Sequence, residues 1–274
     1  MNARDLVRDQ REALWLEGHT GLYTTSDALS FLEQVGIALR YGAATNLALA
    51  SMYRATQCQV PVPENEGPAH ARAFELTNSL LASGKVVELN LFADRLSLAH
   101  HRIVPAIYAL RRGQQEPNLS DSAREALGFI GANESATSGD VRRLLKAEGQ
   151  RRPDAADLAL AELQRALLID RGPSAGPTTG VFYLTREGYP YRVFATAHPE
   201  IVSSAQKLKR SESASQLLLS YLTAAQFATR RGLVSLFKLL LTPDEINGTV
   251  ESQIHAGRLE RARQGRNEVI VYRT

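Results

Sequence analysis

Two stretches of this sequence repeat one order of predicted elements, helices first and then a pair of short strands. In the first stretch, helical periodicity covers Ser120–Ile130, Val141–Ala147 and Asp154–Leu168. Alternating apolar residues then predict strands at Leu168–Arg171 and Gly180–Arg186, separated by a loop rich in Gly, Pro and Ser. Three helices followed by a hairpin are the winged-helix arrangement, a helix-turn-helix with a β wing appended.

The same order returns at the C-terminus. Helices are predicted at Ser213–Thr223 and Ala224–Arg231. The run Thr242-Pro243-Asp244-Glu245 combines a capping box with proline at the first helical position, which predicts a helix reaching His255. Segments 258–262 and 267–273 then predict a hairpin. The two stretches share no residue-level repeat, so only the order of elements recurs.

The N-terminal part follows a similar order. Ala28, Phe31, Leu32 and Val35 have helical spacing, a second helix is predicted over 46–54, and two short strands are predicted within 85–98. This region can be interpreted as a third, degenerate unit. The predicted fold class is mainly α with short β hairpins (α+β), built as tandem winged-helix units. The predicted domains are 1–112, 119–196 and 211–274, with a polar linker over 113–118.

Composition excludes several classes of protein. No run approaches 18 apolar residues, so no membrane span is expected, and the charged opening segment does not resemble a signal peptide. A single cysteine, Cys58, excludes an internal disulfide and fits a reducing cytoplasm. The sequence therefore predicts a cytoplasmic protein without a membrane partner.

Charge is distributed unevenly along the chain. Residues 1–137 hold 12 Lys and Arg against 15 Asp and Glu, whereas residues 138–274 hold 20 against 14. The C-terminal half is therefore basic, at +6, and it is the part of the chain where contacts with a polyanion are expected. A basic surface that serves only solubility would give the same totals.

The candidate DNA contacts are basic residues on or beside the two predicted helix-turn-helix and wing regions. A helix-turn-helix places its last helix in the major groove, while basic side chains hold phosphates and wing arginines reach a minor groove or the backbone. The candidates are Arg142, Arg143, Lys146, Arg151, Arg152 and Arg165 in the central unit, and Arg258, Arg261, Arg263 and Arg266 in the C-terminal wing.

The last helix of each predicted helix-turn-helix, which would enter the major groove, is called the reading helix here. Acidic residues on the two reading helices argue against DNA binding. The central helix is expected to present Asp154, Asp157 and Glu162 to solvent, where they would repel phosphate. The C-terminal helix is polar but not basic. A winged-helix protein-interaction module therefore remains an alternative.

Motifs of the common enzyme classes are absent from the sequence. It contains no Gly-x-Ser-x-Gly, no His-Glu-x-x-His, no P-loop and no Gly-x-Gly-x-x-Gly. Its six histidines lack metal-ligand spacing with a second ligand type. We therefore expect no metal and no cofactor.

Four segments resemble a known family, the AlkZ-related winged-helix proteins, which are distant relatives of the bacterial DNA glycosylases that unhook interstrand crosslinks. These segments are Asp27–Gly36, Leu96–Leu110, Thr137–Ile169 and the tail from Ser213, and their order and spacing carry the resemblance. The resemblance implies tandem winged helices, double-stranded DNA as the partner, and a bacterial protein associated with the nucleoid.

The glycosylases of this superfamily position a hydrolytic water with a Gln-x-Gln motif. This sequence contains Gln57-Cys58-Gln59, followed by a proline-rich segment that does not match the family motif. The resulting hypothesis is a non-catalytic DNA-binding protein of repair or transcription regulation. The alternatives are a DNA glycosylase acting through Gln57 and Gln59, and a protein-interaction module.

Overall fold

The computed structural model describes ten segments of the chain and has a mixed α+β architecture with three small sheets. The described residues are 3–16, 18, 21–41, 48–57, 67–93, 95–112, 117–133, 136–174, 188–265 and 267–273, without the side chains of 3–6 and 67–70. In this part of the chain no helix is long and apolar enough to cross a membrane.

The N-terminal elements form a four-stranded sheet with helices around it. Helices α1 (Ala3–Ala13) and α2 (Thr25–Val35) precede strands β1 (Ile37–Leu39) and β2 (Ala50–Ser51). Helices α3 (Met52–Gln57) and α4 (Gly67–Ala82) then lead to strands β3 (Val86–Phe92) and β4 (Arg95–His100). The strand order is β2-β1-β4-β3, in which β1 and β2 are parallel and the other pairs are antiparallel.

The central elements form a three-stranded antiparallel sheet under three helices. After α5 (Val104–Arg112) come α6 (Asp121–Ala132), β5 (Ala136–Thr137), α7 (Ser138–Leu144) and α8 (Ala155–Arg165). Strands β6 (Ile169–Arg171) and β7 (Pro190–Val193) complete the sheet, which has the order β5-β7-β6.

The C-terminal elements repeat this arrangement. Two short helices, α9 (Phe194–Ala197) and α10 (Pro199–Ala205), connect to α11 (Arg210–Ala225). Strand β8 (Phe227–Ala228) and helices α12 (Arg230–Phe237) and α13 (Pro243–His255) precede β9 (Leu259–Gln264) and β10 (Asn267–Tyr272). The sheet order is β8-β10-β9.

All three sets share one topology: helix, strand, two helices, two strands, with the last strand between the other two; the N-terminal set has one additional strand, β2, at the edge beside β1. The sets run α2-β1-α3-α4-β3-β4, α6-β5-α7-α8-β6-β7 and α11-β8-α12-α13-β9-β10. This is the winged-helix topology, so the predicted fold class is confirmed. The domain limits 1–112, 119–196 and 211–274 stay a prediction, since the largest core cluster joins residues from all three sets.

Side-chain caps set the starts of the helices. Thr24, Thr137, Asp154 and Thr242 each cap a helix in a capping box, and Ser120 accepts a bond from the backbone of Ala123. Each cap satisfies backbone donors that the first helical turn would otherwise leave unpaired. The predicted helix start at Thr242 and Pro243 is confirmed.

The shared core explains why the sets pack as one body. Phe92 at the end of β3 meets Phe237 of α12 edge to face, with ring centroids 6.0 Å apart. The ring of Tyr108 on α5 stacks on that of Phe194 on α9, with centroids 5.1 Å apart. The helices that connect the sets therefore also contribute to this core.

Two predicted helices are wrong. Residues 224–231 were expected to form one helix, but Gln226 has a left-handed φ of 63° and ends α11. Phe227 and Ala228 then pair with β10 as a strand. Residues 50 and 51, expected within a helix over 46–54, form strand β2 beside β1. The strand expected at Gly180–Arg186 lies outside the described residues, and the strand that pairs with β6 is Pro190–Val193.

Candidate nucleic-acid interface

Side-chain hydrogen bonds cap the start of α13 in the C-terminal unit. Thr242 Oγ1 accepts a hydrogen bond from the backbone N–H of Glu245, at 3.2 Å. The Glu245 carboxylate in turn accepts bonds from Arg210 and from the backbone of Thr242. These bonds, the one from Arg210 most strongly, lower the pKa of Glu245 to about 2. The carboxylate is therefore engaged within the protein at neutral pH.

Glu251 lies at the centre of the next contact, which joins the reading helix to the wing. Arg261 of β9 donates to both carboxylate oxygens of Glu251 at 2.7 Å. Arg230, at the start of α12, also contacts this carboxylate and donates to Asn247 at 3.0 Å. Hydrogen bonds from Arg261 and then Arg230 lower the pKa of Glu251. Ion pairs with the Glu251 carboxylate thus connect α13 to both α12 and β9.

Three further arginines of the C-terminal unit are exposed. Arg231 follows Arg230 on α12, Arg258 precedes β9, and Arg263 lies on the same face of β9 as Arg261. Arg263 is opposite Glu268 in the ladder, but Glu268 points its carboxylate towards Arg230, at 3.7 Å. Within the described residues, none of the three arginines forms an ion pair. Arg266, also predicted from the sequence, lies outside the described residues.

In the central unit, Arg142 is committed to the protein interior. Its side chain is 11% exposed and donates to Asp154 at 2.8 Å and to Asp157. Burial alone would raise the pKa of Asp154, but hydrogen bonds from Asp157 and Arg142 keep it below its usual value. Arg142 therefore joins the two helices of the helix-turn-helix, and a phosphate could reach it only by displacing a carboxylate.

The other central candidates are more accessible. Lys146, Arg151, Arg152 and Arg165 are exposed, and Arg143 pairs with Asp140 on its own helix. Arg152 lies 3.9 Å from Asp157. The predicted function of these residues stays a prediction.

The acidic residues of the central reading helix are engaged within the protein, contrary to the expectation that all three face solvent. Asp154 is buried as the N-cap of α8, and Asp157 bonds back to the backbone of Asp154. Glu162 accepts bonds from the backbone and hydroxyl of Ser120, at 2.8 and 2.7 Å. The electrostatic argument against DNA binding is therefore weaker than the sequence indicated.

Helix α8 also packs against β3 of the N-terminal sheet. A buried ionic cluster lies beside this contact. Glu88 of β3, fully buried, pairs with Arg40 after β1 and with Arg171 of β6, the latter at 3.1 Å. Arg40 donates a hydrogen bond to the Tyr189 hydroxyl. The Arg171 guanidinium lies over the Tyr189 ring, with its central carbon 4.4 Å from the ring centroid. This cluster fixes the central unit on the N-terminal one.

The predicted catalytic pair is only partly described. Gln57 ends α3, and its amide donates to the Tyr53 hydroxyl at 2.7 Å. Cys58 and Gln59 lie outside the described residues, so their relation to Gln57 is not tested. Among the described residues, no group of three or more His, Cys, Asp or Glu is placed to hold a metal ion.

Sequence reasoning missed Arg230 and Arg231, because both were assigned to the end of a helix and not to the start of the next. Thr229, whose side chain caps α12, is the signal that could have located them. It also missed the Glu88 cluster, which no local pattern marks.

No protein-family model matches this sequence, and a search of curated proteins finds no match either. Among solved structures, the chain is similar to the DNA glycosylase AlkZ of Streptomyces sahachiroi, with 12% sequence identity and a TM-score of 0.59. The match covers 99% of this chain and 70% of that one. The likeness establishes a shared fold, and the resemblance drawn from the sequence is confirmed at that level.

Proposed function

We propose that this chain binds double-stranded DNA and that its C-terminal unit makes the main contact. In this arrangement α13 approaches the major groove, and the β9–β10 wing lies along the backbone. The fold supports the proposal, because the protein that shares it is named as a DNA glycosylase.

The charge balance around α13 is the observation that carries the proposal. Of the five carboxylates of α13 and the wing, four lie within 4.0 Å of an arginine, namely Glu245, Glu251, Glu260 and Glu268, whereas Asp244 at the start of α13 is exposed and forms no ion pair with a described residue. Arg231, Arg258 and Arg263 are exposed and form no ion pair with a described residue. Phosphate is the partner that such a set of guanidiniums favours.

The central unit contributes less in this proposal. Its reading helix α8 is covered on one side by β3, so it cannot enter a groove as freely as α13. Arg143, Lys146, Arg151 and Arg165 are proposed as secondary contacts with the backbone, and Arg142 as the residue that holds α7 on α8.

We propose a role in DNA repair or transcription regulation that does not depend on catalysis by Gln57 and Gln59. A neutral amide is a weak base, and the described contact of the Gln57 side chain is to a tyrosine hydroxyl. The glycosylase alternative requires both amides and a carboxylate in one pocket. A protein-interaction module requires a surface on which acidic residues are unpaired.

Fluorescence anisotropy with a labelled duplex at 50 mM salt tests the proposal. Saturable binding that weakens with salt is the expected result. Absence of binding at low salt refutes DNA as the partner and favours the protein-interaction alternative. A parallel assay of base release from alkylated duplex, with wild type and Gln57→Ala, tests catalysis. Release that depends on Gln57 would overturn the non-catalytic proposal.

A further inference from the structure

A cavity of about 360 Å³ lies between the N-terminal sheet and the central unit. Asn90 of β3 and Leu96 of β4 line one side, and α7, α8, β6 and β7 line the rest. The volume is at the small end of the range for ligand pockets, about 300–1,000 Å³. One small molecule fits a space of this size.

The residues of α8 that line the cavity lie on one face of the helix. Asp157, Leu160 and Gln164 are three and four residues apart, so they share one face, and all three line the cavity. In a winged helix that enters DNA by this helix, an outward stripe reads the groove. Here it faces Leu96 and Asn90 instead. Leu160 and Leu96 provide apolar walls suited to a flat ring.

Gln164 is the residue that points to a ligand. Its side chain is buried, at 4% exposure, and its Nε2 has no hydrogen-bond partner within the described part of the chain. Buried polar groups in folded proteins are nearly always satisfied. Nε2 is itself buried, so a rotation of the amide about χ3 would bring it to an acceptor inside the cavity, and Asn90 supplies a second amide on the facing wall.

The lining holds more guanidiniums than carboxylates. It contains Arg142, Arg152 and Arg171 against one carboxylate, that of Asp157. Arg142 and Arg171 already pair with carboxylates, whereas the side chain of Arg152 is 67% exposed and lies 3.9 Å from Asp157. Arg152 is therefore the guanidinium that can turn to an anionic group of a ligand.

We propose that this cavity binds a nucleobase that carries one phosphate, as in a nucleoside 5′-monophosphate. The ring lies between the apolar walls, its edge accepts a hydrogen bond from Gln164, and the phosphate binds Arg152. Amide side chains are suited to the donor and acceptor edges of bases. This inference goes beyond DNA binding by the C-terminal unit and does not rest on it.

Isothermal titration calorimetry of the full chain with the four deoxynucleoside 5′-monophosphates tests the inference. At least one is expected to bind with one-to-one stoichiometry and a submillimolar Kd. Gln164→Leu keeps the side-chain size but removes the donor, and is expected to weaken binding about tenfold. Because Arg152 is on the surface, Arg152→Ala leaves the fold intact and is expected to weaken the nucleotide but not the nucleoside.

Arg95→Ala is the matched control, since Arg95 is the exposed neighbour of the lining residue Leu96 and does not itself line the cavity. It is expected to leave the Kd unchanged. Titration with a short single-stranded oligonucleotide distinguishes a free nucleotide from a base within a strand as the ligand. Binding of the oligonucleotide alone, with the same dependence on Gln164, identifies a base within a strand as the ligand. No binding of either, or equal loss in the Arg95 and Arg152 variants, overturns the inference.

Discussion

Replacing Arg258 and Arg263 together by alanine should make the slope of log K against log salt for DNA binding shallower by about 1.8. Each phosphate contact contributes about −0.9 to the slope of log K against log salt. Three arginines of the C-terminal unit, these two and Arg231, are exposed and form no ion pair with a described residue. If each holds one phosphate, they contribute about −2.7 to the slope.

The difference is large enough to measure. The part of the slope that these three arginines contribute, about −2.7, lowers affinity about 40-fold between 50 and 200 mM salt, whereas the part left in the double variant, about −0.9, lowers it only about 3.5-fold. Fluorescence anisotropy with one labelled duplex at five or six salt concentrations gives both slopes.

A control of equal charge separates local contact from overall charge. Arg54 and Arg95 are exposed on the N-terminal set, and replacing both by alanine changes the net charge by the same amount. We expect this variant to keep the wild-type slope. An unchanged slope in the Arg258 and Arg263 variant, or an equal change in the control, would refute the proposed interface.

Three further outcomes follow from the contacts described above. Glu251→Gln should release the two arginines that this carboxylate clamps, so duplex binding should tighten and its salt slope should steepen by about 0.9 or more; an unchanged or weaker affinity would contradict this. Glu88→Ala should lower the free energy of unfolding in urea by about 3–5 kcal/mol, because it leaves two buried arginines unpaired, while Glu75→Ala on the surface of α4 should change it by less than about 0.5 kcal/mol. His100 is buried beside His101 and Arg102, and burial first, then these charges, lower its pKa from 6.5 to about 4. The unfolded chain takes up this proton below pH 6.5 and the folded chain does not, so stability falls by up to about 1.4 kcal/mol per pH unit between 6.5 and 4. His100→Gln should flatten urea-unfolding stability against pH in that window and exposed His255→Gln should not; equal slopes would contradict the assignment.

The order of elements could be predicted from sequence because caps and periodicity are local. The capping box at Thr242 and the hairpin after it needed only neighbouring residues, and the structure has both. Strands β2 and β8 have two residues each and were missed, since such short strands have no periodicity and depend on pairing with distant partners.

The site could be predicted only in part, because charge pairing depends on packing. Arg142 belongs to a basic cluster in the sequence, yet its partners are 12 and 15 residues away, across the turn. The same packing removes Asp154 from the surface. Arg40 and Glu88, 48 residues apart, meet only because β1 and β3 both flank β4.

Photo-crosslinking from α13 and from α8 shows which of the two helices lies against the DNA. A photoreactive amino acid at Ser252, exposed on α13, is compared with one at Leu158, 60% exposed on α8, each in the full chain with labelled duplex DNA. We expect a strong DNA adduct from position 252 and little from position 158. An adduct from 158 alone, or from neither position while the duplex binds, would contradict the claim that the C-terminal unit is the DNA interface.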